Sequence, residues 1–264
     1  MSGLHGLRRL SPSGIARYEN CPRSFQLYDL ERVARNERPD ARLCQGNAIH
    51  AALERFFGLP VEDRSYTSLE RALRSVWCAH RKPGAFTSRE DERRCGLQAL
   101  DMLRRFVEDY DIEVEPLARE QWASAHVGGV ELRGKIDRID AGPDGTLELV
   151  DYKTGRRQLD PDELPDDPAA RVYLLAAEEV FQQPVSRVRL LYLQSGAEVR
   201  WSPEREDVEA MKNEVGELVA EISSTSFFEA RPGPLCRYCP VALHCPERGR
   251  VSLSDLVPVE NMAF

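Results

Sequence analysis

Asp151 and Lys153 stand two apart in VDYKTG, so on a β-strand both side chains leave the same face. A carboxylate placed there can bind a divalent cation, and an ammonium beside it can hold an attacking water or offset charge developing on a phosphate. D-x-K by itself also describes an ordinary surface ion pair. The upstream run RGKIDRID adds Asp137 and Asp140. An odd loop between the two strands, such as Pro143 to Gly145, sets Asp137 opposite Asp151. An even loop opposes it to Val150 instead and sends the carboxylates to opposite faces. A shared metal therefore predicts an odd loop or a bulge, with Gly145 supplying a left-handed residue. Asp140 has the other parity and reads as a solvated acid near the turn. His50 lies on the flank of a helical apolar stripe, where a lone histidine is ordinarily a core or surface residue. Glu54, one turn later, and Glu120 rank below it.

The second constellation is CRYCPVALHC, residues 236–245, a C-x2-C-x5-C triad one ligand short of a tetrahedral site. Four other cysteines compete to complete it. Cys78 and Cys95 fall in long helical patterns, where a buried cysteine serves as a small hydrophobe. Cys21 is followed by proline, as are Cys239 and Cys245, whereas Cys44 is followed by Gln45. Proline after a ligand fixes the turn and can start a helix, and Cys-Pro closes the common ferredoxin ligand run. The expected set is thus Cys21, Cys236, Cys239 and Cys245, a clasp between the two ends of the chain. Closing so long a loop removes about 4 to 5 kcal/mol of unfolded-state entropy in the simplest cross-link treatment. Spacing leaves a four-cysteine zinc site and a [4Fe–4S] cluster both open.

These groups need rigid elements to hold them. Ser11 as cap with Pro12 in the first turn starts a helix, and Cys21-Pro22 restarts the chain. Ile49, Ala52, Leu53, Phe56 and Phe57 have helical spacing. Thr67-x-x-Glu70 reads as a capping box ahead of Leu69, Ala72, Leu73, Val76 and Trp77, and Leu97, Leu100, Leu103, Val107 and Tyr110 mark a third long helix. From Pro116 the pattern changes to a three-strand meander with turns at Gly128-Gly129 and Gly142 to Gly145. DPAARVYLLAAEEVFQQ is a helix, VSRVRLLYLQSGAEVRW two strands about Ser195-Gly196, and residues 203–223 an amphipathic helix. That order predicts one α/β domain with a helical insert. Its segments are 1–45 with the first clasp cysteine, 46–115 helical, 116–225 the core, and 226–264 with the remaining clasp cysteines.

With 264 residues, 42% of them hydrophobic, the chain can bury a substantial core. No apolar run approaches the roughly 20 residues of a membrane span, and MSGLHGLRRLSPSG lacks the continuous apolar stretch of a secretory signal, so a cytoplasmic location is expected. Seven cysteines, an odd number in a reducing compartment, point to metal ligation rather than a disulfide framework. A net charge of −8 argues against a surface that is all nucleic-acid footprint. The 36 Lys and Arg residues, among them Arg156/Arg157 and Arg231/Arg237, still allow a local basic groove.

GNAIHAAL, GKIDRID, VDYKTG and a following helix with Tyr173, in that order, resemble the RecB-like branch of the PD-(D/E)XK nuclease superfamily. The closing cysteine triad with an early fourth cysteine is similar to the iron–sulfur exonucleases of that branch, including the AddB nuclease domain and CRISPR-associated nucleases. The resemblance runs from about Ser11 to Pro246. It implies a restriction-endonuclease-like core, a mixed sheet flanked by helices, with an iron–sulfur clasp joining the terminal segments. It implies Mg2+ or Mn2+ on His50, Asp137 and Asp151, completed by the Tyr152 carbonyl, with Lys153 as the catalytic lysine. On Cys21, Cys236, Cys239 and Cys245 it implies a [4Fe–4S] cluster. DNA is the implied substrate, single-stranded or at single-stranded ends, with a helicase or repair protein as partner and a role in repair, recombination or defence. Arg237 and Tyr238, beside the clasp, are candidates to contact or stack on a single strand. The family's Gln-x-x-x-Tyr has Ala169 in place of its glutamine here, which puts substrate contact in doubt and offers Arg171 as a replacement phosphate contact. Two readings of other classes stand beside it. One is a non-catalytic DNA-binding or scaffolding module with a decayed nuclease fold, for which Ala169 speaks. The other is a zinc-stabilised interaction domain.

Overall fold

The computed structural model describes residues 6–35 and 39–248. Residues 1–5 of the N-terminal run and 249–264 of the last segment lie outside them. Strand β1 (Arg9–Leu10) leads into α1 (Pro12–Asn20), where Ser11 Oγ accepts from Gly14 N–H and Pro12 opens the first turn. Cys21 stands in extended conformation between α1 and α2 (Pro22–Phe25), the restart that Cys-Pro predicts. Three long helices follow: α3 (Ala41–Phe56), capped by Asp40, α4 (Tyr66–His80) and α5 (Arg89–Asp109). The capping box of α4 is not Thr67 with Glu70 but Ser65 with Ser68. Ser68 N–H donates to Ser65 Oγ and Ser65 N–H to Ser68 Oγ, which satisfies both orphan donors two residues earlier. Glu70 is thereby left to pair with Arg74 one turn on, at 2.6 Å.

The meander forms as expected: β2 (Ala118–Val127), β3 (Val130–Ala141) and β4 (Leu147–Lys153). Then come α6 (Pro168–Phe181), β5 (Val185–Tyr192), β6 (Ala197–Trp201) and α7 (Arg205–Ser224). β3 is central. One edge pairs antiparallel with β2, from Val127 opposite Val130 to Ala118 opposite Ile139. The other edge is divided, with β1 parallel at Glu131 and Leu132 and β4 antiparallel from Arg138↔Val150 to Ala141↔Leu147. Between them, among the described residues, Arg133 to Asp137 have no strand partner on that edge, so the sheet forks. β4 continues parallel to β5, reached by the crossover helix that a parallel pair requires, and β6 lies antiparallel beside β5.

Helices pack on both faces of the mixed sheet. On one side α1, α6 and α7 supply Ile15, Tyr18, Val172, Leu175, Val215 and Val219 to a core that includes Leu132, Ile136, Leu149 and Leu190. On the other, α3 to α5 pack Ile49, Leu53, Phe56, Leu73 and Phe106 against Val150, Tyr152 and Leu191. β4 and β5 thus feed both cores, with Leu149 and Leu190 toward one and Val150, Tyr152 and Leu191 toward the other. No helix among the described residues is long and apolar enough to cross a membrane.

Candidate active site

The β3–β4 turn has the odd length that a shared metal predicts. Gly142 N–H donates to Thr146 O, closing the turn over Pro143 to Gly145, with Asp144 and Gly145 at φ of 52° and 76°. The register that follows, Arg138↔Val150, puts Asp137 opposite Asp151 one step further. On the other side of β3, Gly128 and Gly129 both have positive φ, as a two-residue type I′ turn demands, and that register sets Glu120 opposite Asp137. Three carboxylates from three strands thus lie in one row across the sheet. Glu120 itself has a φ of 46°, and Ile136 and Ile139, three apart, join the same core cluster. The alternation of faces therefore breaks at Asp137, the local distortion by which bulged strands re-aim a side chain.

His50 comes to this row from α3, whose rotation is set by the buried Ile49, Ala52 and Leu53. Its Nδ1 lies 3.1 Å from Asp137 Oδ1 and 3.6 Å from Glu120 Oε1, and its ring stands edge-on to Tyr152 at 6.0 Å. Ligand atoms of His50, Glu120 and Asp137 fall within 4.8 Å of one another. Asp137 Oδ2 meanwhile accepts from the Tyr152 backbone N–H at 2.7 Å, just where the β3–β4 ladder ends. The carboxylate is thus held from both sides. Glu120 Oε1 is buried and has no hydrogen-bond partner, while the other oxygen of that carboxylate pairs with Lys135. Mixed carboxylate and imidazole donors with an unsatisfied buried oxygen fit a hard divalent cation. Charge says the same. Burial works against a protonated His50, yet Asp137, Glu120 and Asp151 push its pKa up to about 10. Asp151 is raised, chiefly by burial and then by Asp137, against the pull of Lys153. The cluster is short of positive charge.

Lys153 Nζ sits 2.6 Å from Asp151 Oδ2. Burial disfavours its ammonium, but Asp151, Asp167 and Asp137 more than offset this and raise its pKa, so the side chain is charged at neutral pH. Tyr173 reaches toward the row from α6. Its phenol is raised by burial and then by Asp151, Asp137, Asp167 and Glu120, and its ring lies on Gly134, where a Cβ would stand 2.5 Å from Tyr173 Cε1. A glycine is what lets the ring come so near the sheet. Glu54 has no place in the acidic group, whereas Glu120 does. The Gly128-Gly129 turn was its sequence signal, since a two-residue hairpin fixes the pairing of residue 120 with residue 137.

Two residues behave otherwise than the sequence suggests. Asp140 is not solvated but 3% exposed, because its face of β3 is covered by α3. Arg138, equally buried, donates to Asp140 Oδ2 from Nε at 3.1 Å and Nη2 at 2.8 Å, and to Tyr152 Oη from Nη1 at 3.3 Å. Its guanidinium lies 4.6 Å from the Phe57 ring centroid. Arg171, the expected phosphate contact, is held by Pro165 O at 3.1 Å, Asp166 at 2.5 Å and Glu214 of α7 at 3.1 Å. Its guanidinium ties α6 to α7.

Cys21 lies against residues 231–239 of the last segment. Arg231 N–H donates to Cys21 Sγ and Gly233 N–H to Cys236 Sγ, each at 3.4 Å, and Ser24 Oγ lies 3.5 Å from Cys239 Sγ. The Cys245 thiol is raised by burial, lowered by a Glu247 backbone hydrogen bond, and raised further by Cys21, Cys236 and Cys239. No three of the sulfurs of Cys21, Cys236, Cys239 and Cys245 fall within 4.8 Å of one another. Cys44 is buried. Cys78 is exposed rather than a core residue, since α4 turns Leu69, Leu73 and Val76 inward and Cys78 away from them. Arg237 lies 5.6 Å from the ring of Tyr238, which is 45% exposed.

Comparison with known proteins matches residues 9–246 to the family model described as the PD-(D/E)XK nuclease superfamily. No curated protein matches the chain. Among solved structures, one named as a candidate exonuclease from Eubacterium rectale aligns at 12% identity over 96% of this chain and 91% of that one, with a TM-score of 0.53. This is a likeness of fold. A second, SSO0001, aligns at 15% identity over 91% of this chain and 87% of that one, with a TM-score of 0.38 that bears on nothing further.

Proposed function

Because this chain belongs to the PD-(D/E)XK nuclease superfamily, we propose that it is a metal-dependent deoxyribonuclease of the RecB-like branch, an exonuclease acting on single strands or DNA ends. The observation that supports this most is the meeting of His50, Glu120 and Asp137, with the Asp151–Lys153 pair on the strand opposite Asp137. Mg2+ or Mn2+ would be held by His50, Asp137 and Asp151, with Glu120 added to the set and the Tyr152 carbonyl completing it. When bound, the cation supplies Lewis acidity toward the phosphodiester and acidifies the attacking water. The chain's own residues do the rest. Asp137, fixed between His50 and the Tyr152 N–H, and Asp151 hold the charge that the cation needs. Lys153 keeps its proton at neutral pH and offsets charge developing on the phosphate.

Digestion of end-labelled DNA with Mn2+ or Mg2+, stopped by chelator, tests the reading. Ala169 favours one rival, a DNA-binding scaffold with a decayed site. Protein that binds DNA and cuts none with either cation belongs to that rival. Tyr173, Arg237 and Tyr238 are the proposed DNA contacts, whereas Arg171 would first have to leave Asp166 and Glu214. A net charge of −8 favours a confined channel, through which a flexible single strand passes more readily than a duplex. Single-stranded or overhanging DNA is therefore expected to be cut faster than blunt duplex at matched salt, with a salt slope set by only a few phosphates. Equal or faster cutting of blunt duplex would refute the channel.

We further propose that Cys21, Cys236, Cys239 and Cys245 hold a [4Fe–4S] cluster with a structural role. The approach of Cys21 to the last segment and the N–H donors aimed at two of the sulfurs support it, since such hydrogen bonds are how proteins tune cluster thiolates. Anaerobically purified protein is expected to be brown, with iron content unchanged by Cys44→Ser. Colourless protein with stoichiometric zinc would sink the cluster.

A further inference from the structure

Between the acidic row and the Gly128-Gly129 turn, the hairpin of β2 and β3 has an outer face that no helix among the described residues covers. Ala123, Ala125 and Val127 of β2 and Leu132 and Ile136 of β3 point into the core beneath α6 and α7, which turns Trp122, Ser124, His126, Arg133 and Lys135 the other way. The core beneath α3 to α5 takes its strand residues from β4, β5 and the residue after β5, none from this hairpin. On that face Trp122 is 55% exposed, a large apolar ring left open to water. Its cross-strand partner is Lys135, and the Arg133 guanidinium lies 4.7 Å from its ring centroid. The strip begins at the acidic row itself, because Lys135 pairs with Glu120.

We propose that Trp122, flanked by Arg133 and Lys135, is a stacking platform for the base next to the scissile phosphate on a single DNA strand. The inference rests on the nuclease reading for the meaning of "scissile" and adds to it where the strand lies. Each component matches what such a strand presents. An indole face stacks on any base, worth on the order of tenfold or more in affinity, but only when that base is not buried in a duplex. Arg133 presses on one side of the ring and adds a cation at the edge of the stack. Lys135 stands between ring and acidic row, where the connecting phosphate would pass. Two residues along a strand cover about 7 Å, on the order of one extended nucleotide, so the step from Glu120 to Trp122 suits neighbouring positions on the same strand. A protein partner seated on Trp122 would need apolar neighbours around it, whereas this face offers Ser124, His126, Glu131, Arg133 and Lys135.

The test uses the full-length protein carrying Asp151→Asn, so that substrate survives, and a fluorescent twelve-residue oligothymidylate. Trp122→Ala is expected to weaken binding about 5- to 150-fold, the range for losing one stacked base. Trp122→Phe should bind within about threefold of its parent while abolishing the quenching of indole fluorescence, and Arg133→Glu should weaken binding and flatten its salt dependence. Because Trp122 is exposed, these variants should melt with their parent. Unchanged affinity in Trp122→Ala, or an equal loss for blunt duplex and single strand, overturns the platform. Hydrolysis of bis(p-nitrophenyl) phosphate by the wild-type protein with Mn2+ separates the two readings. If wild type cleaves neither this diester nor DNA, the nuclease reading fails, and weaker oligothymidylate binding by Trp122→Ala still upholds the platform. If wild type cleaves both and Trp122→Ala leaves KM for the oligonucleotide unchanged, the platform alone fails.

Discussion

Asp151→Asn is expected to lower DNA cleavage by about a thousandfold or more, with the protein still folded. Asn keeps the shape of the side chain and can still accept from Lys153, so the strand and its neighbours stay in place. What disappears is one of the negative charges gathered at the fork, and with it the hold on the cation. Lys153→Ala should cost roughly a hundred- to a thousandfold, the usual effect of removing one preorganised group that faces developing charge. The two differ in one readout. Asp151→Asn should weaken Mn2+ binding measured calorimetrically, whereas Lys153→Ala should leave it intact or tighter, since an ammonium 2.6 Å from the carboxylate competes with the metal. Single-turnover cleavage at saturating Mn2+ measures both losses. Wild-type rates in Asp151→Asn would remove Asp151 from the chemistry.

Arg138→Ala carries the largest expected effect on stability, a loss of about 3 to 5 kcal/mol, because it leaves the Asp140 carboxylate buried without its counter-charge. For a chain of this size that is a fall of roughly 10 °C in Tm. Asp140 is already raised by burial despite Arg138, and its Oδ1 has no hydrogen-bond partner, so little else holds the charge. The sign with pH follows. A carboxyl raised in the folded state binds its proton at pH values where the unfolded chain has released it, so the folded state is disfavoured progressively as pH rises above the unfolded value near 4. Arg138→Ala should therefore lose more stability at pH 8 than at pH 5. Replacing both partners, Arg138→Met with Asp140→Leu, should recover most of the loss, since matched apolar groups often replace a buried pair at no cost. Thermal melts of the single and double variants at both pH values decide it, and an Arg138→Ala protein melting within 2 °C of wild type would refute the account.

Much of the acidic row was legible because β-structure obeys local arithmetic. Asp151 and Lys153 share a face by the two-residue period, and the odd turn at Pro143 to Gly145 aligns Asp137 with Asp151 whatever the rest of the chain does. The Gly128-Gly129 turn carries Glu120 into the same row by the same counting. Ser11 with Pro12 and the Cys21-Pro22 restart are likewise decided within a few residues, by donors and ring geometry that need no distant partner. The four motif segments in order were enough to suggest the family before any element was placed.

Burial and approach were not legible in this way, since both depend on what packs from elsewhere. Asp140 reads as a surface acid until α3 and Phe57 close over its side of β3, and only then does it need Arg138. Arg171 and Tyr173 sit two apart on one helix, yet α7 takes the first and the fork the second. His50 is an unremarkable helical histidine in the chain, and it becomes part of a cation site because Ile49 and Leu53 anchor α3 over the sheet with Nδ1 3.1 Å from Asp137. By itself the sequence determined that Asp151 and Lys153 share a face and that an odd turn would align Asp137 with them, because the strand period and turn parity act along the chain. Only the tertiary structure decided that a helix far upstream would set a nitrogen beside that row, because such contacts come from side chains packing across the core, for which no local periodicity exists.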